Sequence, residues 1–74
     1  MNYTANYIKI ESGYMGQILE WPEVVTEGNS LDECRSSLKD ALEQMTLAYR
    51  SVGKSIPNEK IILESIILEP NYVS

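Results

Sequence analysis

Apolar positions along the chain change period twice. From Tyr3 to Glu11 they follow a strand-like order, with Tyr3, Ala5 and Tyr7 on one parity and Ile8 and Ile10 on the other. The change of phase between Tyr7 and Ile8 fits either a bulge or a strand covered on both faces. Glu11-Ser12-Gly13 predicts a hairpin turn, and Tyr14 to Glu20 a second strand with Gly16 at a bulge or close approach. Pro22 has no N–H for a ladder, so the second strand should end near Trp21, leaving Val24 to Glu27 as a short third strand.

The period then becomes helical. Leu31, Cys34, Leu38, Ala41, Leu42, Met45, Ala48, Tyr49 and Val52 fall three and four apart and draw one stripe. Ser30 and Glu33 have the Ser-x-x-Glu spacing of a capping box, and Asp32 and Glu33 suit the positive end of the helix dipole. Gly53 and Pro57 predict the stop near Ser51 or Val52. A one-sided helix of about five turns covers one face of a sheet.

Beyond Pro57 the pattern is less regular. Ile61-Ile62-Leu63 and Ile66-Ile67-Leu68 are too closely set for clean alternation. A turn followed by a strand within residues 59–69 is the preferred reading, with a second short helix as the alternative. Such a strand is apolar on both faces, which suits a central position or a subunit contact. The whole reads as a single α+β domain over residues 1–74, in the order β-β-β-α-β. An antiparallel, hairpin-based sheet is covered on one face by one long helix.

Charge and composition narrow the function. The 74 residues carry a net charge of −5. Between Lys9 and Arg35 lie six acids (Glu11, Glu20, Glu23, Glu27, Asp32 and Glu33) and no base. Phosphate backbones require Lys and Arg, so direct nucleic-acid binding is not expected. The acidic segment is either solubilising surface or a face complementary to a basic partner. A chain this short buries a thin core, so a homodimer or higher homo-oligomer is expected. One cysteine, no apolar run of membrane-spanning length and no signal-peptide pattern predict a cytoplasmic protein with no membrane contact.

The chemistry of catalysis is sparse. There is no histidine, which removes the commonest general base and the Ser-His and Cys-His nucleophile arrangements. Cys34 lies on the apolar stripe and reads as a buried small hydrophobe. Glu11, Glu20 and Glu27 are of the residue type that ligates Mg²⁺, but they fall at strand ends and turns, where exposed acids are ordinary. No enzyme activity, no metal and no cofactor are therefore expected. Tyr14 and Trp21 are residue types enriched as interface anchors, although packing explains Trp21 equally well.

The same residues, taken in order, resemble the HicB family of antitoxins from bacterial toxin–antitoxin pairs. Gly13-Tyr14 matches the Gly-Tyr that opens the family's second strand. Leu19-Glu20-Trp21-Pro22-Glu23-Val24-Val25-Thr26-Glu27-Gly28 follows its Pro-x-Leu-Pro-Gly turn and Thr-x-Gly break, with Leu19 in place of the first proline and Glu23 in place of the glycine. Ser30-Leu31-Asp32-Glu33 matches its capped helix start, and Gly53 with Ile56-Pro57 its helix end. The likeness spans residues 3–57.

What the resemblance implies is a partial, inactive RNase H-like fold. It would bind and mask a small basic mRNA-cleaving toxin of the HicA type. A C-terminal DNA-binding module, common in the family, has neither room nor charge after Pro57. The expected contact set is Tyr14, Glu20, Trp21, Glu23 and Glu27. The alternative is a solitary HicB-like oligomeric adaptor or regulator without a toxin.

Overall fold

The computed structural model of the chain describes residues 1–70. Three strands, β1 (Ala5–Ile10), β2 (Gly13–Ile18) and β3 (Trp21–Gly28), precede one helix, α1 (Leu31–Ser51). The sheet is antiparallel in the order β1-β2-β3, so β1 and β3 are both edges. The α+β arrangement of a hairpin-based sheet under one long helix is as expected.

β1 and β2 pair without interruption from Ala5↔Ile18 to Ile10↔Gly13. There is accordingly no bulge at Tyr7–Ile8. The change of phase reflects two apolar faces. Tyr7 packs under the helix, whereas Ile8 is on the opposite face and 46% exposed. The irregularity lies on the other side of β2, where the register with β3 shifts between Gln17 and Ile18. That shift places both Trp21 and Val24 in the core.

Trp21 opens β3 rather than closing β2, and β3 is longer than its Val-Val-Thr centre suggested. Pro22 is compatible with this because β3 is an edge strand with no ladder partner on its outer side. The Gln17 side-chain amide (Nε2) also donates to the Pro22 carbonyl at 2.9 Å.

The helix starts and stops by local chemistry. Ser30 has extended backbone (φ −133°, ψ 165°), and its Oγ accepts from the Glu33 N–H at 3.1 Å. The Glu33 carboxylate reaches back one residue further than in the usual box and accepts from the Asn29 N–H at 3.0 Å. At the other end Gly53 takes φ +72°, a left-handed conformation that costs glycine nothing. Gly53 N–H donates to Arg50 O and Lys54 N–H to Tyr49 O, the paired bonds of a Schellman stop.

Ile18, Trp21, Val24 and Leu38 form the buried cluster. Tyr3, Tyr7, Ala41, Leu42, Met45, Tyr49 and Ile56 pack against it. Burial of each large side chain there stabilises the fold by roughly 1.5–3 kcal/mol. Cys34 is also fully buried, above Gly16. The last residues of the expected stripe, Ala48 and Val52, remain exposed.

The chain is tied back to the sheet once more after the helix. The Tyr3 hydroxyl donates to the Pro57 carbonyl at 2.8 Å. From there to residue 69 no residue joins a helix or strand, and residues 58–70 are all exposed. The expected fourth strand over 59–69 is thus not formed within the described single chain, nor is the alternative helix. Ile62, Ile66 and Ile67 stand 91%, 87% and 85% exposed. A strand needs a neighbouring edge to satisfy its backbone, and this segment is laid along none.

Candidate functional site: an acidic end

The sequence singles out five contact residues, and the fold divides them. Trp21 is 1% exposed, its ring set edge-on to Tyr49 with centroids 4.8 Å apart. Its Nε1–H is buried without a hydrogen-bond partner, so the indole serves here as a large hydrophobe. The packing alternative is the one realised for Trp21.

Glu20 is 8% exposed in the turn between β2 and β3. Its two carboxylate oxygens accept from the Thr4 N–H and the Thr4 hydroxyl, both at 2.6 Å. The Thr4 hydroxyl, helped by the Thr4 backbone N–H, holds the Glu20 carboxyl below its ordinary pKa, against the opposing pull of burial. Together with the bond from Leu19 N–H to Thr4 O, these contacts clasp the start of β1 to the β2–β3 turn. The role of Glu20 in the free chain is structural.

The other three residues are accessible. Glu23 and Glu27 are exposed on β3 and flank exposed Val25 at every second position, on the face away from the helix. Tyr14 is half-buried at the far end of β2, with the Lys9 ammonium 5.0 Å from its ring centroid. Tyr14 pairs with Gly28, whose Cα faces Cys34, so Tyr14 lies on the helix side of the sheet; Glu27 is at the same end but on the opposite face, and Glu23 lies toward the other end of β3.

A grouping that linear order conceals appears around Glu27. The β1–β2 turn, the end of β3 and the N-terminus of α1 meet at one end of the molecule. Ser12, Glu27, Gly28, Asn29, Glu33 and Ser37 line one open cavity of about 250 Å³ there. Glu11 in the turn and Asp32 in the first helical turn are exposed beside it. The acids at this end are consequently Glu11, Glu27, Asp32 and Glu33. Arg35 is paired to Asp32 at 3.0 Å and lies 5.9 Å from the Tyr7 ring centroid.

Gly28 holds this end together. A Cβ on it would stand 2.5 Å from the Cys34 backbone nitrogen, so no side chain fits between β3 and the first turn of α1. The sequence showed the Gly-Asn break, but not that the helix folds back closely enough to carry Glu33 next to Glu27.

Chemically, this end offers carboxylates to a cationic surface. Among the described residues no group of three or more His, Cys, Asp or Glu side chains is arranged to hold a metal ion. Nor, among them, is any helix long and apolar enough to cross a membrane.

Neither a curated protein nor a solved structure matches the chain. A family model does, described as UPF0150-like and matching residues 3–57. The match begins at the tyrosine and ends at the proline that the Tyr3–Pro57 bond joins. It covers the whole sheet-and-helix body, and on that evidence the chain belongs to the UPF0150-like family.

Proposed function

We propose that the protein is an antitoxin of the HicB type, which binds and masks a small, basic, mRNA-cleaving toxin without performing chemistry itself. The UPF0150-like membership supports the antitoxin-like character, and the HicB resemblance of residues 3–57 supports the finer reading. The observation that carries it is the acidic end. Glu27 and Glu33 line the cavity where three elements meet, and Glu11 and Asp32 are the chain neighbours of its lining residues Ser12 and Glu33, within a segment that has no base between Lys9 and Arg35.

The physical logic is complementarity. A ribonuclease must present positive charge to RNA, and an acidic protein surface competes for that same charge. Rim carboxylates act mainly on the association rate and on its salt dependence. The contact set is accordingly Glu27, Glu23, Tyr14 and the neighbouring Glu11 and Asp32. Glu20 and Trp21 support it from within.

Co-expression with the adjacent open reading frame tests the function. The expected outcome is rescue of growth together with co-purification of a small basic protein. Absence of both, with the neighbouring protein shown to be produced, contradicts the reading and favours a solitary oligomeric adaptor.

A further inference from the structure

The helix packs on β2 and β3, so the two long sides of the body differ. Beside β3, strand and helix leave an open groove of about 330 Å³. Val24 and Val25 line it from the strand, and Ala41, Gln44, Met45 and Ala48 from the helix. Ala48 belongs to the apolar stripe of α1, yet here it is exposed.

We propose that this groove and the free edge of β3 receive an extended, basic segment of a protein partner, which adds to the sheet as a further strand. The inference rests on the antitoxin reading for the partner's identity, a basic toxin, and names the place and manner of its docking. Three observations select this occupant.

The first is the edge. β3 is the last strand of the sheet, and among the described residues no strand pairs with its outer side. An unpaired edge is a template for another strand. Pro22 has no N–H to offer, so the usable edge runs from Glu23 to Gly28. That stretch spans about 20 Å.

The second is the pattern of the two faces. Glu23, Val25 and Glu27 alternate, exposed, on the face away from the helix. Val24 and the helical wall of the groove lie on the other face. A strand laid here sets one parity of its side chains beside Glu23, Val25 and Glu27, where Lys or Arg is favoured. The other parity points over Ala41, Met45 and Ala48, where apolar side chains are favoured. Ala41 and Ala48 stand about two helical turns apart, and their small side chains leave room.

The third is sign. Among the described residues no Lys or Arg lines this groove, or the cavity of Glu27 and Glu33 that follows it along β3. Arg35, Lys39 and Arg50 line the grooves on the other side of the helix instead. Acids along β3 repel phosphate backbones and anionic membranes. They also repel the chain's own segment 59–69, which bears Glu59, Glu64 and Glu69 against one Lys60. A cationic protein strand meets none of these obstacles.

The probe is a short peptide of alternating Lys and Val, titrated into the ¹⁵N-labelled full chain. Amide shifts should centre on Glu23 to Gly28 and on Ala41, Gln44 and Ala48. With peptide at about ten times its Kd, the fastest-exchanging β3 amides should slow about tenfold. A peptide of the same composition, with its lysines and valines in separate blocks, should bind at least ~10-fold more weakly because no parity is kept. Ala48→Arg, a good helix former at an exposed position, should weaken the alternating peptide by a similar factor. Glu43→Lys, in a groove on the other side of the helix, should change its affinity by less than about twofold. Equal binding of the two peptides, shifts centred on β1, or equal loss in both variants would overturn the proposal. Protection of β3 amides in the wild type decides it even where Ala48→Arg does not fold. A toxin that co-purifies equally well with folded Ala48→Arg also overturns it and leaves the antitoxin reading intact. Failed co-purification strikes that reading alone, and the peptides still decide whether β3 accepts a basic strand.

Discussion

Trp21 offers the sharpest separation of structure from binding, because an indole in a short acidic segment invites both roles. It is 1% exposed and packs with Ile18, Val24 and Leu38 under the edge of Tyr49. Truncation of a buried Trp to Ala costs about 3–5 kcal/mol, through lost transfer energy and the cavity left behind. A domain of 74 residues has a total stability of about 4–11 kcal/mol. Trp21→Ala should therefore lower Tm by on the order of 10–30 °C and leave the protein close to unfolding at growth temperature.

Trp21→Phe is the informative partner to that change. It keeps a ring against Tyr49 and removes the one buried side-chain polar atom that has no partner among the described residues, whose desolvation costs roughly 1–3 kcal/mol. Its net cost should be well below that of the alanine variant. Urea unfolding followed by far-ultraviolet circular dichroism gives both values, with protein concentration held fixed so that self-association does not shift the midpoints. Trp21→Ala with wild-type stability and lost partner binding would refute the core assignment and restore Trp21 as a contact residue.

Three further outcomes follow from the same geometry. Ser30→Ala removes the cap on the Glu33 N–H and should cost about 1 kcal/mol in urea unfolding, and Ser30→Asp should keep most of it. Gly28→Ala forces a Cβ against the Cys34 nitrogen; it should destabilise the fold more than the cap variant does, and shift the amide resonances of the first turn of α1. Glu20 has a lowered folded-state pKa, so its contribution is fully present above the unfolded-state carboxyl pKa and is lost as pH falls through the folded value. Unfolding midpoints measured from neutral pH down to about pH 3 should show that loss in the wild type and a flatter profile in Glu20→Gln and Thr4→Val.

What could be read in the sequence was what local chemistry decides. The Ser30–Glu33 cap, the 21-residue amphipathic helix and the glycine stop each depend on residues within one or two turns of each other. Leu31–Ser51 therefore matches its expected bounds. Trp21 and Glu20 were harder because their surroundings are distant in sequence. Trp21 is buried by Tyr49, and Glu20 is satisfied by Thr4, sixteen residues away. No periodicity encodes either contact. Pro22 was misleading for a related reason: its penalty depends on whether the strand is central or at an edge, which is a property of the sheet.

The acidic end was half legible. Its charge was plain, but the six acids between Lys9 and Arg35 do not act as one set. Folding removes Glu20, sends Glu23 to the far end of β3 and brings Glu27 and Glu33 to one cavity, beside whose lining Glu11 and Asp32 follow in the chain. The segment over 59–69 was illegible for a different reason. Its composition is that of a strand, yet it joins none of the three described strands.

The central claim, that an acidic surface captures a basic toxin, is tested most directly by the salt dependence of that binding in wild type and in a Glu11→Lys, Glu23→Lys, Glu27→Lys variant. All three residues are exposed, and none takes part in a side-chain hydrogen bond among the described residues. At about 0.2–1 kcal/mol for each exposed charge pair lost, and more once repulsion replaces attraction, affinity at low salt should fall by roughly tenfold or more. The slope of affinity against ionic strength should flatten in parallel. Equal affinity and an unchanged salt slope in the folded variant would contradict the account.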